Sequence, residues 1–593
     1  MPEPNSSGLP PQAQAVIPGK HSSWLRFRLP IASVFVYLCV LLVGTLRTSE
    51  HLHLVLLFLQ YVLILPAVLV CLRRAREPLQ SVPSIPGISL PWIVVCFSVL
   101  AIPLSWFAAR GLLNPDESAY SFQARIYRSG RVMADPLIGV SANFRETPAE
   151  LWFTNHVLRP SGWFPKYPPG WPLLLSLGYL ISTPWLLAPV FGGMGLIAIA
   201  ACGWRCGSRE TGSLAAYMAA LSSFYLINSV GVMSHALCAL LAVTACWCLF
   251  SGLETRIMGY YAGMFACLAA SLQARPYTGF VLTLVMTTTA LWLNRRNKLH
   301  LLKVGVTGIV FGAIACAGVL SYNHLYTGSW LVSPYAMFAG ASLPPELSFN
   351  PAKIWRGIRQ FAPQTIEESL IGTFPFAYLL AGYALWHEAK RRSELRILAA
   401  LYTALVLAYL AHPLDSGGLP FGERFHFEAF FALLLLAARG VQLLVERWRI
   451  PRWAVVCMVL LLGVMQVSQE AAAVKAIARR GEPYRKVREA IAASGFSGLV
   501  FLRDGPGFVA KHFNLNDADW HHSRRIYLID AEPGRRSQWA CSYGALDYTV
   551  LTYDATTRQA ILIPGKANCA IGTHQPSTNR CASLRKPSVN PCP

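Results

Sequence analysis

Charge is what this 593-residue chain has least of: Asp, Glu, Lys and Arg make up only 13% of it, where soluble domains carry about 25%. That shortage excludes an ordinary soluble enzyme, whose water-facing surface needs more ionised side chains. Acidic residues are the scarcer sign, with 29 Asp and Glu against 51 Lys and Arg and a formal net charge of +22. A surplus of that size would suit nucleic acid. Most of the basic residues, however, sit in short links between apolar runs, so the pattern reads as topology and no nucleic-acid partner is expected. There is no visible internal repeat, against the similar halves common in transporters. A cleavable leader is not expected either. The first thirty residues are polar and rich in Pro, Ser and Gly, and the first apolar run is too long and has no clear small-residue cleavage site.

What the chain has in abundance is apolar length. Apolar runs fall at 31–48, 52–72, 91–109, 185–203, 213–230, 235–251, 257–272, 277–294, 303–321, 369–387, 396–412, 428–445 and 453–469. A crossing helix takes about 20 such residues, so the expected fold is a polytopic α-helical membrane protein with about 13 transmembrane helices. Arg73, Arg74, Arg76, Arg205, Arg209, Arg256, Arg295, Arg296, Lys298, Lys390, Arg391, Arg392, Arg447 and Arg449 fall in links of one side, whereas the short links of the other side carry only Arg275 and Arg424. The positive-inside rule then places the N-terminus in the cytoplasm and the C-terminus outside. This holds if the part of Trp171 to Trp204 before Pro184 lies in or dips into the outer interface. The expected location is a plasma or bacterial inner membrane.

Residues 1–30 read as a disordered cytoplasmic N-terminus and 31–469 as the membrane domain, with external loops at 110–184 and 322–367. A helix over 470–494, interrupted near Gly481-Glu482-Pro483, and the strand candidates "GLVFLR", "IYLID" and "YTVLTYD" suggest a small α/β extracytoplasmic appendage over 470–570. Residues 571–593 read as a disordered tail. All cysteines but Cys541, Cys569, Cys581 and Cys592 lie in or beside apolar runs. Those four face an oxidising exterior in this topology, and they allow three disulfide pairings among which sequence does not choose.

Chemistry-bearing residues gather at the outer rim. "NPDESAYSFQARIYRSGRV" puts Asp116 and Glu117 just past an apolar run, where ionisable residues are functional candidates. Asp116 would also serve as an N-cap for a helix starting near Glu117. "WFPKYPPGWPLLL" holds Lys166 and Tyr167 beside a stiff Pro168-Pro169 turn. Arg275, in "LQARPYTGF", and Arg424, in "GERF", stand against the inside bias, and two such arginines fit a phosphate clamp. His235, His412, Asp415, Glu423 and His426 lie near the same face but show no compact metal-ligand spacing. "SYNHLYTGSWLVSPYAMF" brings aromatics, Tyr326 among them, that suit either a sugar or the membrane interface.

Taken in order, "NPDESAYSFQARIYRSGRV", "KYPPGWPLLL", "ARP" and "YNHLYTGSWLVSPY" resemble membrane glycosyltransferases of the GT-C fold. The likeness is greatest to the bacterial branch related to protein O-mannosyltransferases and to the aminoarabinose transferase acting on lipid A, and it covers about residues 85–440. The resemblance implies a polyprenyl-phosphate-linked sugar donor and inverting transfer to a glycan, lipid or protein acceptor hydroxyl. It implies Asp116 as base with Glu117 orienting, and no firm cofactor, a divalent cation being left open. Lys166, Tyr167, Arg275 and Arg424 become donor-phosphate candidates. Tyr167 holds the place where the aminoarabinose transferase has Lys, and Phe425 that of a family Tyr. Tyr120, His156, His235 and Tyr326 are the substrate-binding candidates. A transporter or flippase of a lipid-linked sugar could share the clamp, but should put its ionisable residues near mid-membrane; a glycan-binding subunit would need no Asp116.

Overall fold

The computed structural model describes residues 89–111, 113–141, 146–340, 355, 376–410, 424–448 and 452–569, with backbone alone at 410, 452–470, 472 and 473. The runs expected at 31–48 and 52–72, most of the loop expected at 322–367, and Cys581 and Cys592 lie outside these residues. The chain forms two compact units, 1–85 with 444–461, and 86–443 with 462–593. The first is described only at 444–448 and 452–461. The acidic loop, the spans up to 443 and the C-terminal sheet belong to the second.

Helix α1 (Leu90–Arg110) starts with Pro91 at its first turn, where a missing N–H costs nothing. Helix α2 (Pro115–Arg128) follows, then a hairpin of β1 (His156–Arg159) and β2 (Gly162–Pro165), and α3 (Gly170–Leu180). A 3-10 turn at Pro184–Leu186 leads into α4 (Leu187–Cys206). Next come α5 (Arg209–Ala220), α6 (Ser223–Asn228), α7 (His235–Thr255), α8 (Met258–Ala274), α9 (Pro276–Asn294), α10 (Lys298–Thr327) and α11 (Pro334–Phe338). The later helices are α12 (Ala377–Glu388), α13 (Ser393–Leu410), α14 (Phe430–Trp448) and α15 (Arg452–Ala493), with a 3-10 turn at Arg424–Ala429 before α14. Among the described residues six helical stretches are long and apolar enough to cross a membrane. Large apolar side chains stand bare on them, Ile309 at 72% and Val99 at 70% exposure, which suits contact with lipid and not water.

Three local expectations are corrected. The run 213–230 is not one helix: it breaks after Ala220, and Ser222 accepts the Tyr225 N–H at 3.4 Å to start α6. Hydroxyl side chains satisfy a helix start better than a helix interior. The helix over 470–494 is not interrupted at Pro483; α15 runs through it. Tertiary contact carries it past the missing hydrogen bond: a Cβ on Gly111 would lie 2.6 Å from the Gly481 carbonyl oxygen, so the two backbones touch there. Third, Asn114 caps α2, its Oδ1 taking the Asp116 N–H at 2.9 Å. Pro115 then occupies the first helical position. Asp116 therefore sits inside the first turn with its carboxylate free of capping.

The C-terminal segment forms a mixed sheet in the order β4-β3-β5-β6, from β3 (Gly498–Leu502), β4 (Arg525–Ile529), β5 (Asp547–Asp554) and β6 (Gln559–Lys566), with α16 (Pro533–Ser542) between β4 and β5. Strands β4 and β5 flank β3 in parallel, and β6 joins β5 antiparallel. β6 was not legible in the sequence because it carries Pro564, which a sheet tolerates at an edge. Cys541 and Cys569 form a disulfide. One hydrophobic core joins this sheet to the first loop: Phe122, Leu151 and Trp163 pack with Val487, Phe501 and Phe508.

Candidate functional site

Asp116 is where several chain segments converge. Tyr167 donates its hydroxyl to Asp116 Oδ1 at 2.6 Å, and Asn155 Nδ2 donates to the same oxygen at 2.8 Å. Arg424 Nη2 reaches Oδ2 at 2.9 Å. Asn155 takes a left-handed φ of 68° ahead of β1, a conformation Asn tolerates better than most side chains. Its carbonyl accepts the Lys166 N–H at 3.0 Å, tying the hairpin's start to its end. The prolines at 168 and 169 then hold Tyr167 at the mouth of α3. The Tyr322 hydroxyl donates to the Tyr167 carbonyl at 2.6 Å. Lys166 Nζ lies over three rings, 4.3 Å from Tyr335, 4.5 Å from Phe338 and 5.5 Å from Tyr167.

The adjacent carboxylates are pushed in opposite directions. Burial raises Asp116, but Arg424, the Tyr167 hydroxyl and Lys166 outweigh it and hold the group below its usual range. Burial also raises Glu117 and prevails there, against the N–H groups of Leu113 and Val232 and with the Asp116 charge adding to the rise. Glu117 Oε2 accepts the Leu113 N–H at 2.9 Å. Its Oε1 packs where a Cβ on Gly231 would come within 2.4 Å, and the left-handed φ of 77° at that position favours glycine. Glu117 braces the α1–α2 corner against residues 231–232.

A second ionic cluster lies beside the first. Arg275 Nε is 3.1 Å from Glu428 Oε1, and His235 Nδ1 is 2.9 Å from the same oxygen. Arg275 Nη1 is 3.4 Å from Ser234 Oγ, whose hydroxyl is 3.3 Å from the Tyr120 hydroxyl. The Tyr120 ring packs on Tyr167 at 4.5 Å, and Phe425 lies 5.4 Å from the Arg424 guanidinium and 6.0 Å from that of Arg275. The fold thus gathers Asp116, Lys166, Tyr167 and Arg424 at one centre, and Tyr120, His235 and Arg275 next to it.

Two further candidates are placed elsewhere. His156 is buried, with Nδ1 2.8 Å from the Thr154 carbonyl oxygen and Nε2 3.1 Å from Asn514 Nδ2; burial pushes it down to about 4. Tyr326 donates to the Val132 carbonyl at 2.8 Å and accepts from Gln123 Nε2 at 3.0 Å. Both hold the loop together. Sequence reading passed over Asn155, Tyr322 and Glu428. Glu428 stands four residues past Arg424, and a lone acid inside "FHFEAF" was the available signal. Asn514 was also passed over: its N–H donates to Ser118 Oγ at 2.9 Å across 396 residues of chain. Among the described residues no three His, Cys, Asp or Glu side chains gather as a metal would require.

No protein-family model matches the chain, and no curated protein does. Solved structures do. Apo oligosaccharyltransferase from Archaeoglobus fulgidus aligns over 78% of this chain and 70% of its own, at 10% identity and TM-score 0.46. ArnT from Cupriavidus metallidurans bound to undecaprenyl phosphate aligns over 80% and 98%, at 11% identity and TM-score 0.49. Arabinosyltransferase EmbB from Mycobacterium smegmatis aligns over 76% and 47%, at 14% identity and TM-score 0.34. These neighbours are GT-C fold glycosyltransferases.

Proposed function

We propose that this chain is a glycosyltransferase that moves a sugar from a polyprenyl-phosphate-linked donor to an acceptor hydroxyl, with inversion, at the outer face of a plasma or bacterial inner membrane. Asp116 is the base. One observation carries the reading. An ionised carboxylate has about four acceptor positions, and Asp116 uses two on Oδ1 and one on Oδ2. The fourth, on Oδ2, is left for a substrate hydroxyl, in a side chain 17% exposed. Beside it, Arg424 Nε and Nη1 are buried with no hydrogen-bond partner among the described residues, as a cation awaiting an anionic ligand would be.

In the reaction, Asp116 Oδ2 takes the proton of the acceptor hydroxyl as the acceptor oxygen bonds to the anomeric carbon. The bond from that carbon to the phosphate oxygen breaks, and the lipid phosphate leaves with the electron pair. Arg424, with Lys166 and Arg275 nearby, offsets the charge the phosphate gains. A base whose affinity for protons is lowered stays ionised at neutral pH, and its held geometry supplies the alignment. The outward placement of the Cys541–Cys569 disulfide follows from the same topology.

The test is sugar transfer by the purified chain in proteoliposomes supplied with a polyprenyl-phosphate sugar and a hydroxyl acceptor. Transfer by the wild type that Asp116→Asn abolishes is the expected result. Lipid-linked sugar appearing across the bilayer at equal rates with both proteins would make the chain a carrier. A reporter active only outside the cytoplasm, fused after Cys541, should be active; a silent one would reverse the orientation.

A further inference from the structure

A polar cavity of about 460 Å³ opens on another face of α2. None of Asp116, Lys166, Tyr167, Arg275 and Arg424 lines it. Helical spacing explains why one helix serves two places: Ser121, Arg125 and Arg128 recur at four and then three residues and share one face, as Asp116 and Tyr120 share another. Arg110, from the end of α1, and Arg488, from α15, complete the wall.

The charge here is unbalanced. Four lining residues are Arg and one, Glu117, is acidic. Glu117 is turned inward onto backbone N–H groups. No carboxylate of the described residues pairs with any of the four arginines, in contrast to Arg275 and Arg424. Three of the arginines are held by neutral partners. The Arg110 guanidinium lies 3.7 Å over the Trp106 ring. Arg125 Nη2 donates to the Asn516 carbonyl at 2.9 Å, while its buried Nε has no hydrogen-bond partner among the described residues. Arg488 Nη1 donates to the Ala109 carbonyl at 3.3 Å. Such a cluster lowers its energy by taking an anion, and guanidinium forks match phosphate oxygens.

The position says where the anion comes from. Trp106 and Arg110 end a helix apolar enough to cross a bilayer, and Trp185 opens the next such stretch. Tryptophan and arginine at the ends of spans mark the headgroup layer. We propose that this cavity binds the phosphate-bearing headgroup of a membrane lipid, at a site separate from the Asp116 centre. The proposal stands on the cavity alone and does not require that Asp116 transfer sugar.

The test is native mass spectrometry of the purified full chain in detergent, titrated with phosphatidic acid, with phosphatidylcholine and inorganic phosphate as separate arms. The expected result is one retained phosphatidic acid, bound at least tenfold more tightly than either control. The double variant Arg128→Gln/Arg488→Gln should bind about a hundredfold more weakly, about tenfold for each guanidinium removed. Arg128 and Arg488 are exposed, so the variant should fold, and its lipid-free melting temperature checks this. If it does not fold, Arg128→Gln alone should weaken binding about tenfold. Arg128→Lys/Arg488→Lys, which keeps the charge, should recover most of the binding. A folded Gln variant that binds like the wild type overturns the site. Equal retention of phosphatidylcholine overturns its anion preference, and equal affinity for inorganic phosphate overturns the lipid assignment.

Discussion

Arg424–Asp116 and Arg275–Glu428 are the same ionic pair in two settings. In the first, the carboxylate side chain is 17% exposed and that of Arg424 8%. In the second, the carboxylate is sealed at 0% while the Arg275 side chain is 13% exposed. Asp116 spreads three donors over both oxygens, whereas Glu428 has His235 hydrogen-bonded and Arg275 in ionic contact on one oxygen and leaves Oε2 without a hydrogen-bond partner among the described residues. The open pair has capacity left for a ligand. The sealed pair is costly to disturb, since removing one partner strands a buried charge. Likeness of residue type therefore does not imply likeness of role; access to solvent separates them.

The sharpest way to break the comparison is Asp116→Asn. Transfer should fall by about 10²–10⁴-fold, measured as sugar moved from the polyprenyl-phosphate donor by folded protein. Near-normal transfer would remove Asp116 as base. Glu428→Gln tests the sealed side. It should cost about 3–5 kcal/mol of stability by stranding Arg275, read from denaturation midpoints; a change below about 1 kcal/mol would mean that Arg275 finds another partner. Arg424→Ala should weaken donor use by about 10–100-fold, the loss of one charge-assisted hydrogen bond of about 1.5–3 kcal/mol, seen as a rise in KM for the lipid donor. An unchanged KM would confine Arg424 to holding Asp116.

The smallest effect is in pH. Asp116 is lowered from 3.8, so its stabilising contribution is present above that value and disappears as pH falls through the lower folded value. Glu117 is raised from 4.5, so its contribution is present below that value and disappears as pH rises through the higher folded one. Against wild type, Asp116→Asn should thus lose stability as pH rises above the folded Asp116 value, whereas Glu117→Gln should gain it as pH rises through the raised Glu117 value, where the wild type must bury a charge. Parallel curves for the two variants would mean that their environments do not differ in this way.

Much of the rim was legible because bulk chemistry marks it. An acid just past an apolar run, a Lys-Tyr-Pro-Pro turn and two arginines against the inside bias are all anomalies in a membrane protein, and Asp116, Lys166, Tyr167 and Arg424 do meet. Apolar run length also marked most apolar helices, and short apolar stretches marked three strands of the C-terminal sheet. What escaped were residues with no anomaly of their own. Asn155 is an ordinary turn residue until it faces Asp116. Glu428 sits inside a helical-looking run. Asn514 belongs to a loop whose partner, Ser118, is 396 residues away.

From composition and order alone the chain is a polytopic membrane protein with charged residues at the ends of its apolar runs, because apolar run length and charge placement are local properties. Only the tertiary structure decided which charges pair. It set Asp116 against Arg424 and Glu428 against Arg275, turned Glu117 onto backbone N–H groups, and left Arg110, Arg125, Arg128 and Arg488 without a counter-charge among the described residues. Pairing depends on which distant segments come within about 3–4 Å and on how much water remains between them. Neither is written in any one stretch of sequence.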